Sequence, residues 1–328
     1  MSNIYAGTGK FYMGTHALWP DAESGSIVAK VEQEAIDVAS GFYGRMASVQ
    51  GGAMVSIDTT PYADWSLLPV LFPAYLGVSI ALTPTAQTGL VAIGTQPHGA
   101  ADVPGKIWTP DGRLYSFPRV GIIQHPGIHL GVDKSFFGPV KLAAIIATGK
   151  KMGDAGAFYT LTATGATDPG GSFTLTVPQG AWTGVWGTVA GFGGGTGDSP
   201  IEAEDEWVIS CEAKYTPRPV QKLIRCYTLD SVKFMAKCRP FGPTQAQLDS
   251  AIGLNNGRLL GSQIANSTTA HDLVLSGPAS HVITLTSADV VGAGFEFGGT
   301  KLGNGEIGFV NTMQFTGGVP QPLLTFSA

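Results

Sequence analysis

Charged side chains are scarce in this chain of 328 residues. Lysine and arginine together number 19, and aspartate and glutamate number 24, so charged residues make up 13% of the sequence against a usual share of roughly 25%. With 44% hydrophobic residues and a net charge of −5, the composition is the opposite of a disordered chain. So few charges favour a subunit that contacts other subunits, and the alternative is a glycine- and threonine-rich β protein of moderate solubility.

Cysteine is also rare, and no pair has the C-x-x-C spacing of a zinc site. The three thiols Cys211, Cys226 and Cys238 do not indicate a disulfide framework, so we expect reduced thiols in a protein made in a cytoplasm. The first residues lack the pattern of a signal peptide. The longest apolar stretch, residues 67–82, is interrupted by two prolines, and membrane insertion is not expected.

Catalytic and cofactor-binding signatures are missing. The sequence has no G-x-S-x-G, H-E-x-x-H or G-x-x-x-x-G-K-[ST] motif, and the glycines of 191–197 do not form a dinucleotide fingerprint. His125 and His129 are four residues apart, but a Pro-Gly pair between them disfavours the helix that would align them. The acidic run 202–206 lacks the spacing of a calcium loop. We therefore predict no enzyme, no cofactor and no metal site.

Signals for β-strands dominate the rest of the sequence. Apolar residues alternate with small polar ones at 173–177, 207–215 and 282–286, and clusters of Gly, Pro and Asp separate such segments. Helical spacing of apolar residues is limited to 63–75 and 244–252. The pattern predicts a mainly β fold of sandwich or partial-barrel type, with one short helix in each half.

The order of these signals repeats along the chain. A strand-like segment ends at Pro61-Tyr62 and another at Pro240-Phe241, 179 positions later, and each precedes one of the predicted helices. Further on, five residues recur at a constant offset of 167 positions, and a hydrophobic strand follows them in both places. The matching residues are Ile128, Leu130, Gly131, Lys134 and Gly138 in the first half, and Phe295, Phe297, Gly298, Lys301 and Gly305 in the second. These matches predict a tandem duplication.

The duplication divides the chain into three parts. Residues 1–150 form the first β domain, and residues 226–328 form the second. Residues 151–225 form a β-rich middle insertion, with a hairpin around 168–171 and a glycine-rich connector at 191–197.

Charges are segregated along the sequence, since no lysine or arginine lies between Met152 and Ala213. The acidic cluster comprises Glu202, Glu204, Asp205 and Glu206. The basic cluster comprises Lys214, Arg218, Lys222, Arg225, Lys233, Lys237 and Arg239. Three interpretations stay open: solvated strand faces that pair within one domain, contacts between identical subunits, or contact of the basic cluster with nucleic acid.

Two segments of the chain resemble the major tail tube proteins of long-tailed bacteriophages. The segment VSIDTTPYADWSLLPVLFP, residues 55–73, is similar to the family's strand that leads into its single helix. The segment ITLTSADVVGAGFEFGGTKLGNGEIGFVNTMQF, residues 283–315, is similar to its later strands. The middle segment, residues 150–225, lies outside the resemblance.

The resemblance implies two tail-tube-like domains, each a β-sandwich or partial barrel flanked by one helix. In that family, six such folds form a ring whose inner strands close a β-barrel, and rings stack into a tube. Two folds in one chain imply trimers with pseudo-sixfold symmetry. The implied partners are the chain itself, the tape-measure, tail terminator and distal tail proteins, and DNA in transient, non-specific passage. The implied location is the virion tail, assembled in the host cytoplasm, and we expect the lumen to draw on the acidic cluster.

Two alternatives belong to other functional classes. One is a virion decoration or sugar-binding adhesion protein that would bind through exposed aromatic residues such as Trp182 and Trp186. The other is an enzyme on a β scaffold, which would need a pair of titratable groups such as His129 and Asp133 in a concave pocket.

Overall fold

A computed structural model shows how the chain folds over most of its length. It describes residues 9–19, 25–36, 47–61, 64–83, 85–99, 102–131, 136–151, 153–170, 180–186, 200–220, 223–242, 272–293 and 305–328. In these ranges the chain is built almost entirely from β-strands, so the predicted mainly β class is confirmed.

Most of the strands belong to two large sheets. The first contains β1 (Lys10–Met13), β2 (His16–Trp19), β3 (Gly25–Ile36), β4 (Ala47–Thr59), β6 (Val103–Thr109), β7 (Arg113–Gln124), β9 (Val140–Ala144) and β10 (Thr160–Thr162). The second contains β5 (Val78–Ala81), β8 (Ile128–Gly131), β11 (Thr183–Trp186), β12 (Pro200–Val220), β13 (Leu223–Pro240), β14 (Leu273–Ser276), β15 (Val282–Leu285), β16 (Ala288–Ala293), β17 (Ile307–Asn311) and β20 (Leu324–Ser327). A two-stranded ribbon contains β18 (Phe315–Thr316) and β19 (Val319–Pro320).

The helix predicted over 63–75 is present but shorter. A 3-10 turn at Trp65–Leu67 leads into α1 (Leu68–Leu71), and the Asp64 carboxylate accepts a hydrogen bond of 2.8 Å from the Ser66 amide at its start. The helix ends because Phe72 precedes a proline, and the residue before proline is disfavoured in helical geometry. The second predicted helix, 244–252, lies outside the described residues.

A four-strand unit occurs once in each sheet. Its order is β3-β4-β9-β7 in the first sheet and β12-β13-β17-β16 in the second, and all neighbours are antiparallel. Thr59 of β4 lies opposite Val140 of β9, and Cys238 of β13 lies opposite Ile307 of β17. The offsets of 179 and 167 read from the sequence relate these two pairs, so the sequence repeat is also a repeat of strand register.

The hairpin that begins each unit is paired in the same register. Gly25 lies opposite Thr59 in the first unit, and Trp207 lies opposite Cys238 in the second. From these pairs onward, the two strands of each hairpin pair residue by residue without a shift in register over 25–31 and 207–213. Residues 25–31 of β3 therefore correspond to residues 207–213 of β12, at an offset of 182 positions.

The two units also share an irregularity. A β-bulge interrupts the pairing of β7 with β9 between Ile122 and Gln124. Another interrupts the pairing of β16 with β17 between Val290 and Gly292, which are the corresponding positions. Because a bulge re-aims the strand locally, its presence at the same place shows that both units have the same local twist.

The interiors of both sheets form one continuous hydrophobic cluster. Phe72, at the end of α1, lies with its ring centroid 6.4 Å from that of Phe137 and 6.2 Å from that of Phe326 in β20. β20 in turn pairs in parallel with β5. Segments from both halves of the chain therefore share this core.

The three-part division of the chain stays a prediction. Its boundary between residues 225 and 226 lies inside β13, and β5 and β8 of the first part belong to the second sheet. Of the hairpin predicted around 168–171, Asp168 is described, and its carboxylate contacts Lys10 Nζ at 2.6 Å. Residues 171–179 lie outside the described ranges, and β10 pairs with β7.

Phe309 provides a test of the repeated unit. This side chain of β17 is fully buried, with its ring 6.2 Å from that of Trp207. We expect Phe309→Ala to lower the free energy of unfolding by about 3–5 kcal/mol, because it leaves a cavity, measured by urea denaturation. The control Phe315→Ala removes a ring that is 59% exposed and should cost less than about 0.5 kcal/mol. Equal losses would contradict the described core.

Candidate subunit interface

β3 is the terminal strand of the first sheet. Over its twelve residues, β4 is its one partner strand among the described residues, on one side only. Within the part of the chain that the structure describes, its outer edge therefore presents a row of backbone N–H and C=O groups that no strand pairs. Exposed edges of this length are templates for pairing with another strand.

The corresponding strand of the second unit, β12, has the first part of its outer edge covered by β8 of the first half and by β11. β8 pairs with β12 from Glu206 to Ile209, and β11 pairs with the first residues of β12. Ile128 and Leu130 of β8 are buried in the core. Trp207, which lies opposite Leu130, is fully buried as well. Among the described residues, the two units therefore differ at this edge: β12 is paired there over residues 200–202 and 206–209, and β3 has no second partner.

Glycines allow β8 to approach β12. A Cβ atom added at Gly131 would lie 3.0 Å from the carbonyl oxygen of Asp205. At the turn that follows β8, the Gly138 amide donates to the Gly127 carbonyl at 2.9 Å, and a Cβ at Gly138 would lie 3.2 Å from the Gly127 nitrogen. These backbones come too close for a larger residue without displacement.

His129, at the centre of β8, contacts one of the predicted interface acids. Its Nδ1 lies 3.0 Å from Oε2 of Glu206, within the same chain. Asp133, which the enzyme hypothesis pairs with His129, lies outside the described residues. In the described part, the partner of His129 is a carboxylate of β12.

Arg119 of β7 joins the first half to β13. Its Nη1 donates to the carbonyl of Ile146 at 2.7 Å, and its Nη2 donates to the carbonyls of Gly99 at 2.5 Å and Arg225 at 2.9 Å. The buried carboxylate of Asp102 lies 3.1 Å from Nη2 and balances the charge. This buried ion pair therefore holds β13 against the first sheet.

A second buried polar link joins α1 to β12. Nδ1 of His125 lies 2.6 Å from the Leu71 carbonyl, and its Nε2 lies 2.5 Å from the Tyr215 hydroxyl. Nδ1 therefore donates to the carbonyl, and Nε2 accepts from the hydroxyl. Burial is the main cause that lowers the pKa of His125 to about 4, against the opposing hydrogen bond to Leu71.

A cavity of about 430 Å³ lies beside the first of these links. Its walls are mostly apolar and include three prolines, and His98 and Asp102 line it as well. Nε2 of His98 lies 2.7 Å from the Ile122 carbonyl, and Asp102 is bound by Arg119. These polar groups of the wall are therefore already bonded to other groups of the first half.

The acidic cluster lies on the first part of β12, close to β8 and β11. The carboxylates of Glu202, Glu204 and Asp205 are on exposed residues, whereas the Glu206 side chain is 13% exposed because of its contact with His129. A role for these acids in subunit contacts or in a lumen stays a prediction.

The basic cluster lies on the hairpin of β12 and β13. Its described members are Lys214, Arg218, Arg225, Lys233, Lys237 and Arg239. Lys233 Nζ lies 3.1 Å from Glu212 Oε2, and Lys237 Nζ lies 3.0 Å from Glu306 Oε2. Both of these pairs lie within one chain. Lys222 lies outside the described residues, and contacts of the cluster with subunits or nucleic acid stay predictions.

The expectation that Trp182 is an exposed aromatic residue is wrong. Its side chain is 6% exposed, and a Cβ atom added at Gly277 would lie 2.5 Å from the indole ring. The indole fills the space that the glycine leaves, so it is not available for stacking on a sugar. The side chain of Trp186 lies outside the described part of the structure.

Comparison with protein-family models and with curated proteins finds no relative of the chain. Within the described ranges, no group of three His, Cys, Asp or Glu side chains is placed to hold a metal ion. None of the helices in these ranges has both the length and the apolar character needed to cross a membrane.

No motif in the sequence marks Arg119 or Asp102, and His125 stands out there only by its spacing from His129. Asp102 and Arg119 are 17 residues apart and belong to no motif. The one signal in the sequence is that Arg119 stands alone among the apolar residues of a strand, where a charge needs a buried partner.

The ion pair of Arg119 and Asp102 predicts a large effect of a single substitution. We expect Asp102→Asn to lower the free energy of unfolding by about 3–5 kcal/mol, because it leaves a buried guanidinium without its counter-charge. The matched control Glu212→Gln breaks the exposed pair with Lys233 and should cost about 0.2–1 kcal/mol. Urea denaturation measures both values, and similar losses would contradict a structural role for the buried pair.

His125 predicts a dependence of stability on pH. Its pKa is about 4 in the folded chain against 6.5 for a free histidine, so only the unfolded chain takes up this proton between those values. The free energy of unfolding should therefore fall as the pH drops from 6.5 to 4, by about 3 kcal/mol from this residue. The variant His125→Gln has no titrating group at this position. Its free energy of unfolding should therefore fall by about 3 kcal/mol less than that of the wild type over this pH range. Parallel profiles would refute the assignment.

Proposed function

We propose that this protein is a self-assembling structural subunit of a bacteriophage tail tube. In this proposal the chains form rings, the rings stack into a tube, and DNA passes through the tube. Each ring contains three chains with pseudo-sixfold symmetry, because each chain supplies two copies of the four-strand unit. The protein is a component of the virion tail and assembles in the host cytoplasm.

One observation carries the proposal: the same unit occurs twice in one chain, and among the described residues its outer edge is partly paired in the second copy and unpaired in the first. β8 covers β12, while the outer edge of β3 has no partner strand among the described residues. A protein that repeats one contact between units grows into a ring or a filament when the contact is not self-complementary. Pairing between chains would also remove the exposed edge.

The surface supports contact with further copies. Charged residues make up only 13% of the sequence, and several large apolar side chains are at least half exposed. These exposed residues are Val220, Phe241, Val291, Phe315 and Val319. Apolar groups in such number on a surface with few charges favour burial in an assembly.

The resemblance supplies the remaining partners of the proposal. They are the tape-measure, tail terminator and distal tail proteins, with DNA in transient passage. We assign the acidic cluster, Glu202, Glu204, Asp205 and Glu206, to the lumen, where carboxylates would repel phosphate and let DNA slide. A lumen lined by the basic cluster instead would refute this assignment.

Negative-stain electron microscopy over a concentration series tests the proposed function. We expect hollow tubes or stacked rings at high concentration and threefold symmetry in class averages. Light scattering should show a mass that rises with concentration. Monomers at every concentration, or a closed small oligomer that never stacks, would contradict the proposal.

Proline substitutions in β3 provide a control for the open edge. Successive residues of a strand direct their N–H groups to opposite sides, so one of Ser26→Pro and Ile27→Pro removes an outward donor. That variant should lose the assemblies while its circular dichroism spectrum is unchanged. Assembly by both variants at the wild-type concentration would show that the edge of β3 is not used.

A further inference from the structure

We propose that the cavity of about 430 Å³ between α1 and the β1–β2 turn binds one small, uncharged, apolar molecule of the size of a bicyclic aromatic compound. The site stands apart from the proposed function, because the cavity lies within one chain and needs no second copy. It gives the first half of the chain a ligand that the assembly does not require.

Four segments of the first half form the walls of the cavity. They are the β1–β2 turn, α1 with the residues that follow it, the segment that leads into β6, and the middle of β7. These segments carry three prolines and the apolar side chains of Met13, Val70, Val103, Val120 and Ile122. Most of the surface that a ligand would contact is therefore apolar.

The backbone around the cavity is fixed by internal contacts. The Gly14 amide donates to the Pro104 carbonyl at 2.8 Å, which holds the β1–β2 turn against β6. The Leu76 amide donates to the Pro73 carbonyl at 3.0 Å and closes the turn after α1. Proline in the walls restricts the backbone further, because its ring fixes φ. The cavity is thus formed before any ligand arrives, as most small-molecule sites are.

Polar side chains in the wall are already bonded within the protein. The Tyr75 hydroxyl is hydrogen-bonded to Tyr215, and Nε2 of His98 lies 2.7 Å from a backbone carbonyl of β7. The Asp102 carboxylate lies 3.1 Å from Nη2 of Arg119. The side chains of His98 and Asp102 are only 6% and 1% exposed. A charged ligand would therefore lose its hydration without gaining a partner from these groups.

The volume indicates the size of the ligand. Apolar cavities of about 150 Å³ take up benzene, and this cavity has about 430 Å³, so a fused two-ring compound fits. Filling the space supplies the dispersion contacts that the wall atoms lack while it is empty. The walls therefore select an uncharged bicyclic aromatic compound.

Val103 marks the entrance to the cavity. Its side chain lines the wall and is also 40% exposed, and Thr15 in the same wall is exposed as well. A wall residue that reaches solvent lies where the cavity opens. A bulkier side chain at position 103 should therefore obstruct entry while leaving the buried core intact.

Equilibrium dialysis of the full chain against naphthalene tests the site, at pH 8, where free histidine is uncharged. The matched probe is 2-naphthoate, which has the same rings and a carboxylate. We expect one naphthalene per chain and binding of 2-naphthoate weaker by about tenfold or more, because its charge would be desolvated without a counter-charge. No saturable binding of naphthalene, or equal binding of both probes, would overturn the proposal.

Substitutions place the bound naphthalene in this cavity. Val103→Trp should weaken binding by about tenfold or more, because the indole fills the entrance. Val70→Trp, in the α1 wall, repeats the test from another side, so the result does not depend on the folding of one variant. The control Val291→Trp changes a valine of β16 that is 53% exposed and should alter binding by less than about twofold. Circular dichroism confirms that each variant is folded. Unchanged binding by both wall variants, or an equal loss in the control, would refute the site.

Electron micrographs of the dialysed samples separate this site from the proposed function. Saturable binding by a chain that forms no rings at any concentration would contradict only the tail tube proposal. Rings from a chain that does not bind naphthalene would refute only the ligand site.

Discussion

The need of every strand backbone for hydrogen-bond partners governs how this chain folds. β12 is 21 residues long, and on its outer edge it obtains partners from β11 and from β8, which leaves the first half to pair with it. In doing so, β8 carries apolar side chains into the second sheet, and the two interiors become one cluster. Within the described ranges, no strand meets this requirement along the outer edge of β3, and this difference between two matching units motivates the assembly that we propose.

Two buried polar links set the relative placement of the halves. Arg119 and His125 both lie in the first half, and both contact backbone or side chains of the long β12–β13 hairpin. Apolar packing alone tolerates sliding of one sheet over another, whereas a buried guanidinium loses much more if its partners move. These residues therefore restrict the halves to one arrangement, in which β8 reaches β12 in register.

The features that the sequence predicted are those with local signals. Alternation of apolar residues predicts strands, and the recurrent proline and glycine positions predict the repeat that the registers of β4 with β9 and β13 with β17 show. Pairing between distant segments, such as β5 with β20, has no local signal because it depends on the packed core. The burial of Trp182 likewise has no local signal in the sequence, because a tryptophan in a turn-rich segment can be exposed or buried. The indole is buried here because Gly277 leaves space for it.

A joint, meaning a strand-to-strand contact between two units, can form within one chain or between two chains, and the two cases differ in free energy. A joint between separate molecules costs translational and rotational freedom, about 4–15 kcal/mol at the standard state. The contact of β8 with β12 forms when the chain folds, so this loss of translational and rotational freedom does not recur for it when chains associate. In the ring that we propose, dilution would separate neighbouring chains but would leave every joint within a chain closed. Two units in one chain would halve the number of joints per ring that depend on concentration, and the other half would depend on the stability of the fold itself.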